Sequence, residues 1–293
     1  MNQALAGHEA IKGRSLWQDA WARLLRNRAA LTAMVLLLII SVLVIAAPWL
    51  SPFEFDAIDW ELISTPPSLE NGHIFGTDSV GRDLFVRTLY GGRMSLMVGI
   101  IATLVSLIIG ITWGATAGYV GGRVDGLMMR IVDILYAMPF MFFVILLMVF
   151  FGRNIYLIFI AIGAINWLDM ARIVRGQTLT LKGKEYVEAA MACGVSTPRI
   201  ILRHIVPNLL GIVVVYVTLT IPQVILVESF LSFLGLGVQE PMTSWGALVN
   251  EGAQDMESAP WALLFPAGFL ATTLFCFNFI GDGLRDALDP KDR

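Results

Sequence analysis

Glu188-Ala189-Ala190-Met191-Ala192-Cys193-Gly194 lies in a long charged segment, residues 169–208, between two strongly apolar stretches, and Pro207 follows thirteen residues beyond the glycine. Residues from Tyr186 to Ala192 favour helix, Gly194 permits a left-handed turn, and Ser196-Thr197-Pro198 suits the cap and first position of another helix. Val195, Ile200, Ile201 and Ile205 give that second helix an apolar side. The spacing predicts a short helix, a sharp turn and a second short helix starting toward Pro207, held close under a membrane. So small a unit is ill suited to stand alone in water, and laying one face in a partner's groove would stabilise it. Glu188 at such a contact would accept charge-assisted hydrogen bonds from a partner's Arg or Lys. The alternative is a loop with no partner.

The membrane follows from composition. The chain has 293 residues, of which 57% are hydrophobic and 15% charged, with a mean hydropathy of +0.73, too apolar for a soluble globular protein. Uncharged runs at 29–50, 94–122, 134–152, 204–227 and 258–281 match or exceed the roughly 18 to 20 residues that cross a bilayer. A sixth, 154–168, covers only about 22 Å as a helix, so it should continue past Asp169 toward Val174. The first run is longer than the apolar core of a cleaved signal peptide and is read as a retained span.

Six spans place both termini on one side, and the Lys/Arg distribution selects it. Sixteen of the 20 basic residues then fall in inner segments, while Arg82, Arg87, Arg93 and Arg153 fall outside. The expected protein is an all-α integral membrane protein of six transmembrane helices with both termini cytoplasmic. Residues 1–28 form an amphipathic inner segment, 29–50 the first helix, 51–93 an outer segment, 94–283 a five-helix domain with its inner loop at about 175–207, and 284–293 a short tail. The net charge of -3 reflects acidic outer loops; the basic residues sit at membrane edges, and no nucleic acid is expected.

Trp17, Trp21, Leu24 and Leu25 at helical spacing beside Arg23, Arg26 and Arg28 suggest a helix on the inner membrane face, or simply a basic flank that sets topology. Outside, Arg82 to Tyr90 has a helical pattern, Asp78 and Asp83 could neutralise its arginines, and Gly91-Gly92 is expected to turn the chain into the second span. That span carries Gly110, Gly114 and Gly118 on one face, read as a helix-packing stripe. Arg130 with Asp133, and Asp169 with Arg172, are each three apart and expected to pair on their own helices. Pro139 should bend the third span, and a tight turn at 151–154 joins it to the fourth.

The fifth span holds Gln223 and, near its outer end, Glu228. Both are candidates for a pathway or gate; the alternative for Glu228 is a solvated or hydrogen-bonded structural role. Beyond it, Glu240, Glu251, Asp255 and Glu257 form an acidic outer loop that either meets a basic partner or is merely solvated.

No catalytic chemistry emerges. Gly176 through Gly183-Lys184 has six residues between its glycines instead of four, and Glu185 stands where Ser or Thr would bind magnesium, so the chain cannot hydrolyse ATP unaided. His8, His73 and His204 lack metal-ligand spacing, and Cys193 and Cys276 lie at different depths, which argues against a disulfide. A membrane-embedded enzyme would need paired catalytic residues at matching depth, and a scaffold would not need bent, polar-dotted spans.

Glu188, Ala189, Ala190, Gly194 and Pro207 resemble the loop of permease subunits in binding-protein-dependent ABC importers: Glu-Ala-Ala, three residues, Gly, nine residues, Ile, one residue, Leu-Pro. His204 and Val206 replace the pattern's Ile and Leu. Phe75-Gly76-Thr77-Asp78, Leu231-Ser232-Phe233-Leu234-Gly235-Leu236-Gly237 and Gly281-Asp282-Gly283-Leu284-Arg285-Asp286 resemble the peptide and nickel branch, most closely its oligopeptide permeases. The resemblance implies the type I ABC importer permease fold and a heteromeric importer. A second homologous permease subunit shares the path, two ATP-binding subunits carry ATP and magnesium, and a periplasmic peptide-binding protein delivers substrate. It implies that Glu188 to Gly194 is the coupling helix seated on an ATPase. It also implies that the cargo is an oligopeptide or, alternatively, a dipeptide or nickel.

Overall fold

The structure, a computed structural model, describes residues 16–151 and 155–288. The expected turn at 151–154, the first half of the N-terminal segment with His8, and the last residues of the tail therefore lie mostly outside the described residues. The chain is all-helical: α1 Leu16–Arg26, α2 Arg28–Leu50, α3 Leu84–Val120, α4 Gly122–Ala137, α5 Phe140–Phe151, α6 Ile155–Lys182, α7 Glu185–Ala192, α8 Thr197–Ile200, a π turn Ile201–Ile205, α9 Val206–Phe233, α10 Trp245–Gln254 and α11 Pro260–Leu288. Among the described residues four helical stretches are long and apolar enough to cross a membrane: Arg28–Leu50, Leu84–Val120, Thr197–Phe233 and Pro260–Leu288.

α2 starts where the Asn27 side chain accepts the Ala29 and Ala30 N–H groups. It buries Ala30, Ala33, Ile40, Val44 and Ala47, while Leu38, Val42 and Ile45 stay exposed. An apolar outer face suits a helix whose solvent is lipid. α1 turns Ala20 and Leu24 onto Ala287 at the end of α11, leaving Trp21 and Leu25 exposed.

The long helix α3 is capped by Asp83, whose carboxylate accepts the Val86 N–H at 2.8 Å. At 37 residues it runs about 55 Å. It passes straight through Gly91-Gly92, where a turn was expected. The reason is non-local: a Cβ at Gly92 would fall 2.5 Å from the Trp245 ring, so the glycine admits that indole without ending the helix. Along its second half, a Cβ at Gly110 would collide with Met170, at Gly114 with the Ala171 carbonyl, and at Gly118 with the Arg175 carbonyl, all on α6. The stripe lets the two backbones approach closely.

The third apolar run is broken rather than bent. α4 ends at Ala137 and α5 begins at Phe140, with Met138 extended at φ -78, ψ 133. Pro139 lacks the N–H that would continue α4 and excludes helical backbone from the residue before it. α6 reaches Lys182, eight residues beyond the expected Val174.

The two expected same-helix ion pairs are corrected. Arg172 reaches across to α4 and pairs with Asp133 at 2.8 Å, its guanidinium lying 4.3 Å from the Tyr136 ring centre. Asp169 then has no ion pair or hydrogen bond among the described residues, and Arg130 loses its expected partner. A planar guanidinium gains both a carboxylate and an aromatic face by crossing to α4, more than a neighbour on α6 offers.

Candidate functional site

Between α6 and α9 the chain builds a compact loop. α7 buries Val187 and Ala190, three residues apart, and exposes Glu188, Ala189 and Met191. Its end is closed by two backbone bonds, Val195 N–H to Ala190 O at 3.1 Å and Gly194 N–H to Met191 O at 3.0 Å, around Gly194 at φ +73. This double bond pattern satisfies the last carbonyls and requires left-handed backbone at Gly194, where a side chain would meet open space but a strained φ.

The second short helix is not separate. α8, the π turn and α9 form one path, Thr197–Phe233, and Val206 N–H bonds Ile201 O, five residues back. Pro207 therefore sits in the first turn of α9, after the wide turn, rather than starting a free helix. Pro198 occupies the first turn of α8, and Ser196 holds the cap position without a side-chain cap bond.

The buried face of α7 does not wait for a partner. Val187 and Ala190 share a core with Ala115 and Tyr119 of α3, Met170 and Val174 of α6, and Ile200, Ile205 and Leu209 from the α8–α9 path. Beside it Arg175 grips Asp125 of α4 with two bonds of 2.5 and 2.6 Å. The buried side of α7 is thus packed against side chains of three long helices. Glu188, on that exposed side, forms no ion pair among the described residues.

At the far end of α9, Glu228 is completely buried, which overturns a solvated role. Ser232 donates to its Oε1 at 2.7 Å and Ser95 of α3 to its Oε2 at 3.1 Å. Ser95 in turn accepts the Trp245 backbone N–H at 3.2 Å, and Ser232 accepts from the Ser244 hydroxyl at 3.2 Å and the Val238 N–H at 3.3 Å. One carboxylate therefore organises α3, α9 and the start of α10. Gln223 is exposed on another face of α9, so the structure does not bring the two candidate pathway residues together.

Over this hub lies a charged lattice. Asp78 binds Arg82 at 2.7 Å and stands 3.5 Å from Arg87; Arg82 reaches Glu240 at 2.8 Å, and Arg87 reaches Glu251 at 2.9 Å. Two of the four acidic loop residues are thus consumed within the chain. Asp83 does not serve the arginines: it caps α3 and takes the His73 ring at 2.8 Å. The Arg82 hydrogen bond lowers the Glu240 pKa, whereas burial raises that of Glu251 despite Arg87 and Arg82.

Sequence reasoning missed α10 and its Trp245, which is wholly buried with its indole N–H donated to Thr88 O at 2.9 Å. The available signal was Ser244 directly before Trp245, an N-cap whose hydroxyl accepts the Ala247 N–H.

Residues 110–293, more than half of the chain, match the family described as binding-protein-dependent transport system inner membrane component. Residues 15–67 match the N-terminal transmembrane domain of oligopeptide transport permease C. The chain is 62% identical over 283 residues to the oligopeptide transport system permease protein OppC of Haemophilus influenzae, covering 97% of this chain and 91% of that one. It is 63% identical to OppC of Escherichia coli strain K12, covering 97% and 94%. With the dipeptide transport system permease protein DppC of Bacillus subtilis it shares 47% identity, covering 95% and 87%. An all-helical membrane protein with an exposed α7 mounted on its long helices, and with these relatives, belongs to the family of inner membrane components of binding-protein-dependent transport systems.

Proposed function

We propose that this chain is a permease subunit of an ABC importer that carries oligopeptides across the bacterial inner membrane, driven by ATP hydrolysed on separate subunits. Identity of 62–63% over 97% of the chain to the oligopeptide permeases of Haemophilus influenzae and Escherichia coli supports that cargo, as does the match of residues 15–67 to the N-terminal domain of oligopeptide transport permease C. A second homologous permease completes the path, a peptide-binding protein delivers substrate, and two ATP-binding subunits hold ATP and magnesium. Six spans are formed by α2, α3, the α4–α5 pair, α6, α9 and α11, with both termini cytoplasmic. The concentration of Lys and Arg in the segments assigned inside supports that orientation.

The observation that carries the mechanism is α7, exposed on one side and rooted in the α3, α6 and α9 core on the other. Glu188, Ala189 and Gly194 form the surface and turn that an ATPase engages, while Ala190 joins the loop to the core. Closure of the ATPases pushes α7, and the long helices tilt as a body between inward-open and outward-open states. The chain supplies a path and a lever.

Uptake of labelled peptides of two to six residues, and of nickel, in cells lacking this chain and in the same cells with it restored, tests the reading. Restored uptake of peptides longer than two residues supports it; restoration of nickel or dipeptides alone overturns the cargo.

A further inference from the structure

The re-pairing of Arg172 leaves a carboxylate unspent. Asp169 lines a cavity of about 300 Å³ together with Leu135, Tyr136, Met138, Phe143 and Asn166. The cavity lies beside the break between α4 and α5, with Met138 of that break among its lining residues. Broken helices are tolerated at membrane depth where they line a cavity, and such breaks mark substrate and ion sites.

The polar side chains at the cavity offer acceptors. Asp169 is half-buried, some 21 Å along α6 from Ile155, without an ion pair or hydrogen bond among the described residues. Arg172, the nearby cation, is held by Asp133 and the Tyr136 ring. Asn166 donates its amide N–H to Ile162 O at 2.8 Å, which turns its amide into a fixed group with a spare acceptor oxygen. A carboxylate and an amide oxygen are both acceptors; together they suit a group with several N–H donors and a positive charge.

We propose that this cavity is a cation-recognition subsite of the transport path, in which Asp169 receives the α-ammonium group of a passing peptide. The inference rests on the peptide reading above. The cavity is small enough to hold a terminal residue and leaves the remaining side chains of the cargo unread, which fits a path that admits many sequences.

The test uses the whole importer in membranes, with Ala164, another residue lining the cavity, changed to cysteine (Ala164→Cys) in chains carrying Asp169, Asp169→Glu or Asp169→Asn. Alkylation of the cysteine at position 164 by N-ethylmaleimide is followed by mass spectrometry, with and without trialanine under turnover. Trialanine should slow alkylation with Asp169 and with Asp169→Glu, and the protection should fall on the order of tenfold with Asp169→Asn, the scale of one charge-assisted hydrogen bond. Equal protection in all three chains overturns the subsite, as does no protection in any of them while trialanine is taken up normally. Failure of the unaltered chain to take up trialanine overturns the peptide reading itself, and the subsite with it.

Discussion

Ser95 on α3 and Glu228 on α9 meet at 3.1 Å in a site closed to solvent. The carboxylate has no cationic partner there among the described residues; it is held by hydroxyls, which are themselves held by the backbone of Trp245 and Val238. A buried polar group is tolerable only when its bonds are made, so each member of this chain depends on the next. Replacing Glu228 by Gln keeps shape and one of the two acceptor oxygens, so it leaves at most one of the two hydroxyl bonds unmade and should cost about 1–2 kcal/mol. Replacing it by Leu strands two buried hydroxyls and should cost about 2–4 kcal/mol. Thermal unfolding of the purified protein in detergent distinguishes them, and equal stability of the two variants would refute the hub.

Glu240 and Glu251 should respond to acid in opposite directions. Glu240 has a folded pKa below its ordinary 4.5 because Arg82 hydrogen-bonds it. Its contribution is complete above the ordinary value and is lost as pH falls through the lowered one. Glu251, raised chiefly by burial, takes up its proton first, and folding gains from that uptake as pH falls toward the ordinary value. The gap in melting temperature between the wild type and Glu240→Gln should be constant near neutrality and close in strong acid. A gap that instead widens on acidification contradicts the assignment.

Gly194 is expected to tolerate no branched side chain. At φ +73 a left-handed non-glycine residue costs about 1–2 kcal/mol, and valine lies at the unfavourable end. Gly194→Val should leave the chain inserted while distorting the end of α7 and abolishing uptake of trialanine in membranes. Wild-type uptake rates would show that the turn is dispensable.

These features differ in how far sequence revealed them. The long apolar runs and the four-residue spacing of Gly110, Gly114 and Gly118 are local periodicities, visible without any knowledge of neighbours. The turn at Gly194 is local too, since helix formers precede it and glycine alone adopts its φ freely. Arg172 was misassigned because Asp133 lies 39 residues away, where spacing along one helix carries no information. Gly91-Gly92 reads equally as a turn or as room for a neighbour, and only Trp245, more than 150 residues on, decides. Pro139 gave away a bend but not the full break; α4 is held to α6 through Asp133 and Asp125, contacts that lie 39 and 50 residues apart in sequence.

Topology is open to a direct check. Reporter fusions after Gly252, within α10, should report the outside, and fusions after Lys184, at the start of α7, the inside. The reverse pattern would overturn the orientation and detach α7 from any cytoplasmic ATPase.

Glu188 tests the coupling role of α7 most directly, because it is exposed and forms no ion pair among the described residues, so its loss costs the fold only its favourable place in the first turn of α7, about 0.3–1 kcal/mol. Glu188→Lys reverses the charge offered to a partner while keeping helix propensity. Peptide uptake should be measured in cells whose only copy of the chain carries this change, with insertion verified in the same membranes. The account predicts normal insertion, loss of ATPase co-purification and uptake reduced to background; uptake at the wild-type rate would contradict it.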